Sequence, residues 1–374
     1  TNGGREALIF YLGAALYRYF GLPLGFMLLK AGSVLIGLAA LPYLYGLGAE
    51  LGGRRAGWLA LALAGIAYWP NVVSRFGLRL PFYFLFTAAL MFYLVRGLRH
   101  GRRNDFIWAG IALGLGVYGY TPDRLLPLTV LLAVGLFLVH HRSRRGWLFA
   151  LTGLLAAVVV SVILFTPLLS YILAEPQAFL SRAMTRVSAM ERPLPAPAGL
   201  IFLNNVGRAL AMFSWDNGEI WPVSIPGYPA LNIVAGGLFY IGAAGLLARY
   251  LKKRDWPDLF LLLSIPLLQL PSTLALAFPA ENPNLYRAGG AMIPVFVMAG
   301  IALDGVIRAF AAGLRGAAGR RAGWALALLL LALCALQDYS LVFDEFAAQY
   351  RRSAWNSSEM GALAREFEDT LGAP

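Results

Sequence analysis

The sequence predicts an all-α polytopic membrane protein, and three observations carry that reading. Hydrophobic residues make up 59% of the 374 positions and charged residues only 13%. Mean hydropathy is +0.66, and apolar content is above the ~45–50% of a soluble domain. Apolar runs long enough to cross a bilayer recur from one end to the other. They fall near 24–48, 56–73, 80–95, 106–121, 125–139, 147–172, 229–250, 257–279, 288–309 and 322–340, which is about ten crossings. The organisation that follows is a transmembrane domain over 1–340, with one long loop at 173–229, and a short tail over 341–374.

The chain opens on Asn2-Gly3-Gly4-Arg5-Glu6, directly before some fifteen mostly apolar residues that run to Phe20. At ~1.5 Å per residue a helix of that length falls short of a ~30 Å hydrocarbon core. With Arg18 near its end and Gly21-Leu22-Pro23 breaking it from the next run, it reads as a helix lying at the membrane surface, its aromatics at headgroup level. Arg5 and Glu6 would then stand at a wet mouth above the bundle.

The formal charge of +12 has a topological explanation. Every second connection is arginine-rich: Arg54-Arg55, Arg96 to Arg103, Arg142 to Arg145, Arg249 to Arg254 and Arg308 to Arg321. The side of the membrane they mark holds 17 of the 31 Lys and Arg but only 5 of the 19 Asp and Glu, so it carries the whole excess. Basic loops stay cytoplasmic. The charge therefore addresses anionic membrane lipids rather than nucleic acid. The 173–229 loop and the tail face the other side. Cys334 is the single cysteine, inside an apolar run, so no disulfide or thiol metal site is expected.

The outer connections bring charges of both signs to apolar helix ends: Arg75 and Arg79, Asp123 with Arg124, Glu281 with Arg287. Each alone reads as a snorkelling anchor, but their recurrence on one face points to a shared anion site. Lys30 is the deepest cation, about a turn and a half inside the second run. In the long loop, Arg192-Pro193-Leu194-Pro195-Ala196-Pro197 predicts an extended, polyproline-like stretch. Leu200 to Phe213 then has helical apolar spacing, with Asn204, Asn205 and Arg208 on its polar side. Behind it, Trp215, Asp216, Glu219 and Trp221 combine aromatics with carboxylates, which suits either sugar contact or an interfacial turn. No HExxH, P-loop, GxSxG or CxxC pattern occurs, and the three histidines fall in basic loops. Asn356-Ser357-Ser358 fits a glycosylation acceptor by pattern.

Several of these stretches carry a resemblance. Asn2 to Leu12, Leu41-Pro42-Tyr43-Leu44-Tyr45 leading to Gly52-Gly53-Arg54-Arg55, Ser74 to Arg79, Tyr118 to Leu125 and Asn284 to Gly290 resemble, in order, segments of the GT-C membrane glycosyltransferases. The likeness is to their dolichyl-phosphate-mannose-protein mannosyltransferase-like and aminoarabinose transferase-like members. It implies a GT-C-like bundle with outer-face interfacial helices, in a bacterial cytoplasmic membrane. It also implies transfer of a sugar from a polyprenyl-phosphate donor to a lipid, glycan or protein acceptor on the outer side. No cofactor is implied beyond the lipid-linked donor, and a divalent metal need is left open.

In that family the catalytic base is an aspartate in the first outer loop, ahead of the segment matching Asn2 to Leu8. The resemblance therefore implies that the first spanning helix and the main base lie upstream of Thr1. Glu6 and Asp123 become supporting carboxylates. Arg5, Arg75, Arg79, Arg124 and Arg287 become donor-phosphate contacts. Tyr120, Trp215, Asp216 and Glu219 become acceptor or sugar contacts. The competing readings are a transporter or flippase, which would show paired repeats and a charged path through the bundle, and an inactive or purely structural relative.

Overall fold

The computed structural model describes residues 7–176, 184–314, 317–354 and 357–371, and among them every regular element is helical. Arg5, Glu6 and Asn356 lie outside the described residues.

Helix α1 (Leu8–Phe20) is followed by α2 (Phe26–Gly52), α3 (Arg54–Ile66), α4 (Tyr68–Arg75), α5 (Phe82–His100) and α6 (Arg103–Gly119). A 3-10 turn over Thr121–Leu125 feeds α7 (Leu126–His140), and α8 (Arg144–Ala174) precedes the long loop. That loop contains α9 (Ala198–Ala211). Beyond it come α10 (Ile233–Lys253), α11 (Trp256–Leu268), the single turn α12 (Leu270–Thr273) and α13 (Met292–Gly313). Helix α14 (Ala317–Tyr339) runs through a π-helical stretch (Ser340–Glu345) into α15 (Phe346–Ser353), and α16 (Ser357–Leu371) closes the described chain.

Helical passes occur in all ten expected places, but among the described residues seven are long and apolar enough to span. An eighth is the α3 and α4 pair, bent by 56°. The second expected span is thus broken, and Pro70 explains where. A proline ring clashes with the carbonyl four residues back, here Ile66, the last residue of α3. Helices α6 and α11 are shorter, with 17 and 13 residues. Helix α1 is also short, and it packs its Ile9, Gly13 and Leu16 face on α2 while Tyr11, Tyr19 and Phe20 are exposed.

Helix α13 is the most enclosed, with 83% of its most apolar window buried against 17% for α8. Close approach makes that possible. A Cβ on Gly300 would stand 2.6 Å from the Ala60 nitrogen of α3, and one on Gly242 of α10 would stand 2.3 Å from the Met298 carbonyl of α13. Small residues at helix crossings let backbones touch, which is how membrane helices gain van der Waals contact without a hydrophobic drive.

The arginine-rich connections gather at one end of the bundle. Arg55 reaches Asp304 at 3.0 Å, Arg308 donates to Asp304 and to the Gly52 carbonyl, and Glu50 takes Arg99 and His100. Two helix hairpins at this end are closed the same way. Arg96 Nε donates to Asp105 at 2.7 Å and Arg249 Nε to Asp258 at 2.7 Å, each with a second bond from Nη2.

At the opposite end part of the long loop packs against α15. The 341–374 tail expected from sequence begins inside a continuous helix, since α14 runs unbroken to Ser353. Gln349 there donates to the Trp221 and Ser224 carbonyls at 3.1 Å, and Tyr350 packs on Trp221. Helix α9 corrects the expected facing of its residues. Asn205 is buried and donates to the Thr273 carbonyl at 2.9 Å, while Leu200, Leu203 and Leu210 are exposed and Asn204 and Arg208 stay outside. At a membrane interface leucines can face lipid, and the amide satisfies backbone that lipid could not.

Candidate functional site

At the end opposite the arginine-rich loops lies a cleft of about 580 Å³. Its wall is built from separated segments: 76–80, 120–125, 186–187, 220–223, 271–274 and 286–287. Four arginines line it, Arg79, Arg124, Arg186 and Arg287, with Tyr120, Tyr286 and Thr121 and otherwise apolar or proline side chains. Among the described residues no Asp or Glu lines the cleft.

Each segment is fixed by a local device. After α4 ends at Arg75, Gly77 turns the chain at φ +85, a conformation that favours glycine. Ser33 of α2 then donates to the Leu78 carbonyl at 3.0 Å, which sets Arg79. In the turn after α6 the Asp123 carboxylate accepts the Tyr120 amide at 3.1 Å, while the Asp123 amide donates to the Tyr120 carbonyl. Asp123 is fully buried behind the wall, and Arg124 follows it on the cleft side.

Arg287 sits at the end of a braced loop. Trp69 Nε1 donates to the Leu285 carbonyl at 2.9 Å, Asn284 Oδ1 accepts the Arg287 amide at 3.1 Å, and Asn282 bonds Ser272 and the Asn205 carbonyl. Arg287 Nη2 meets Glu281 at 2.6 Å. Burial works against its charge, but Tyr286, Tyr120 and the Glu281 carboxylate outweigh it and hold the guanidinium proton above its ordinary value. Aromatic faces complete the lining: Arg79 lies 5.7 Å from the Tyr120 ring centroid, Arg287 5.8 Å from that of Tyr286, and the two rings are 6.3 Å apart.

Of the residues singled out by sequence, Arg79, Tyr120, Arg124 and Arg287 come together here. Arg75 does not; it is exposed and lies 4.4 Å over the Phe343 ring. Lys30 is half-buried beside Gly77, its ammonium 5.2 Å from the Phe26 ring. Asp216 folds its own loop, Oδ1 accepting from the amides of Gly218 and Gly227. Trp215 and Glu219 are exposed and neither lines the cleft, although Glu219 directly precedes the wall residue Ile220.

Arg186 is the wall cation that the sequence does not single out. It comes from a part of the long loop with neither periodicity nor a motif. Contacts 91 and 92 positions away along the chain hold it: its carbonyl accepts the Ala277 amide at 3.0 Å, and its guanidinium stands 4.1 Å over Phe278. Among the described residues no group of three or more His, Cys, Asp or Glu stands together as a metal site would require.

Comparison with known proteins places this geometry. Residues 9–171 match the family model described as dolichyl-phosphate-mannose-protein mannosyltransferase. The oligosaccharyltransferase AglB from Archaeoglobus fulgidus, in complex with an inhibitory peptide and a dolichol-phosphate, aligns with TM-score 0.58 and 18% identity, over 92% of this chain and 48% of that one. ArnT from Cupriavidus metallidurans, bound to undecaprenyl phosphate, aligns with TM-score 0.56 and 16% identity, over 94% of this chain and 63% of that one. The fold is that of the GT-C glycosyltransferases. No curated relative matches in sequence. The chain spans about half the length of AglB and less than two thirds of ArnT. The expected GT-C-like bundle is therefore present, with its cationic cleft at one end.

Proposed function

We propose that this chain belongs to a glycosyltransferase of GT-C type that takes a polyprenyl-phosphate-linked sugar into the cleft and transfers the sugar to an acceptor on the outer side of the membrane. One observation carries the reading. Four arginines from four separate segments face one cleft whose remaining lining, Thr121 apart, is apolar or aromatic.

The chemistry fits the surroundings. Displacing a phosphate from an anomeric carbon leaves negative charge on the departing oxygens, and guanidiniums stabilise it best where water is scarce. Arginine also offers paired donors to phosphate oxygens. Arg79, Arg124, Arg186 and Arg287 take that role here, Arg5 is assigned a further donor-phosphate contact, and Leu78, Leu274 and Pro271 suit a prenyl tail. Asp123 supports the site from behind by fixing the turn that presents Tyr120 and Arg124, and Glu6 is assigned the second supporting carboxylate. Tyr120 faces the sugar, with Trp215, Asp216 and Glu219 on the acceptor side. The residues 1–340 act as the membrane domain in a bacterial cytoplasmic membrane. Cation convergence at one end, rather than along a path through the bundle, supports transfer over transport.

The test is titration of the purified chain in nanodiscs with a polyprenyl monophosphate. Saturable binding that falls in Arg124→Ala and Arg287→Ala is expected. Affinity unchanged in both variants, with the fold intact, would leave these arginines as interfacial anchors and overturn the reading.

A further inference from the structure

Glu281 is not part of the cleft wall, yet it touches two of the arginines that are. Its Oε2 lies 2.6 Å from Arg287 Nη2 and 3.6 Å from Arg186 Nε. The two contacts differ in kind. The first is a charge-assisted hydrogen bond, and the second is beyond hydrogen-bond length. Arg186 has Glu191 as another neighbour, again at 3.6 Å. Its guanidinium is thus near two carboxylates and hydrogen-bonded to neither, while its backbone is fixed by the Ala277 amide and its planar face by the Phe278 ring. Such a group can turn toward a better acceptor without moving the loop.

We propose that Glu281 is the built-in counter-anion of the cleft, a positioning residue that holds Arg186 and Arg287 in place when the cleft is empty and releases Arg186 to a ligand phosphate when one enters. The proposal rests on the reading of the cleft as a phosphate site. It follows from charge. Guanidiniums converging in a partly desolvated space repel one another, and a carboxylate that spans two of them keeps both aimed inward. A phosphate offers several acceptor oxygens in the geometry that arginine matches, so it competes well for the long Arg186 contact and poorly for the short Arg287 contact. The same carboxylate then repels the bound phosphate, which limits affinity and speeds release of a lipid phosphate after its sugar has gone.

The test measures binding of a polyprenyl monophosphate to the full chain in nanodiscs across a salt series, for the wild type, Glu281→Gln, Glu281→Asp and Arg186→Gln. Removing the counter-charge while keeping the shape should tighten binding by about tenfold and steepen its salt dependence, since one repulsive charge is lost from a cationic site. Glu281→Asp keeps the charge and should stay within about threefold of the wild type, and Arg186→Gln should weaken binding by about tenfold. Weaker or unchanged binding in Glu281→Gln, with wild-type thermal stability, would overturn the counter-anion role and leave the cleft reading standing. Absence of saturable binding by the wild type would instead bring down the cleft reading, and this proposal with it.

Discussion

The two ends of the bundle use arginine for different work. At the basic end carboxylates close on guanidiniums directly: Asp105 on Arg96, Asp258 on Arg249, Asp304 between Arg55 and Arg308. The first two tie helix hairpins shut, and Arg55 ties α3 to α13. At the cleft end four arginines also line a shared space, and although Glu281 pairs directly with Arg287, neither it nor the buried Asp123 is on the wall. Direct pairing alone does not separate the two sets, since Arg287 is paired as well; what differs is that the cleft arginines also border open space.

The sharpest way to break that comparison is to remove one carboxylate from each end. Asp258→Ala leaves Arg249 without its partner, and a loss of about 2–3 kcal/mol is expected, below the ~3–5 kcal/mol of a fully buried pair because Arg249 is partly exposed. Thermal unfolding in detergent checks it, and lipid-phosphate affinity should not move. Equal losses of stability and affinity would mean that the two ends are not separable.

Arg287→Ala should do the reverse. Loss of charge-assisted hydrogen bonds worth ~1.5–3 kcal/mol should weaken polyprenyl phosphate binding by about 10–100-fold, with little change in melting temperature. A large drop in melting temperature without loss of affinity would place Arg287 with the structural arginines.

Trp69→Phe sharpens the comparison from a distance. It keeps the ring and removes the bond to the Leu285 carbonyl, two residues from Arg287. A net hydrogen bond of ~0.5–1.5 kcal/mol predicts a loss of affinity of about two- to tenfold, measured in the same titration. No effect on affinity would mean that the loop holds its shape through Asn282 and Asn284 alone.

Single cysteines at Ser143 and Ser188 in a Cys334→Ala background test which end faces out. Ser143 precedes α8 at the basic end and Ser188 follows Arg186 at the cleft end. Impermeant labelling of Ser188 alone in sealed cells is the expected result, and labelling of Ser143 would reverse the orientation. The smallest effect belongs to Arg351→Ala, an exposed arginine on α15, where affinity and stability should both stay near wild type.

Sequence carried the places of the ten helical passes and the convergence of Arg79, Tyr120, Arg124 and Arg287, because apolar runs and charged helix ends are local features. What it missed depended on contacts distant along the chain. Arg186 reaches the wall only through Ala277 and Phe278, and nothing around it is periodic. Asn205 looked solvent-facing because polar residues in a surface helix usually are, yet here the leucines are exposed and the Thr273 carbonyl takes the amide. The break at Ala67 was readable in Pro70, but apolar content across the run masked it.

That break has a kinetic corollary. The first turn of α4 places two adjacent aromatic side chains, Tyr68 accepting the Ile225 amide at 2.7 Å and Trp69 donating to the Leu285 carbonyl. Two loops separated by some sixty positions are therefore fastened to one helical turn and cannot loosen independently of it. In native-state amide exchange, the segments around 225 and 285 should open with α4 as a single cooperative unit, sharing one free energy of opening.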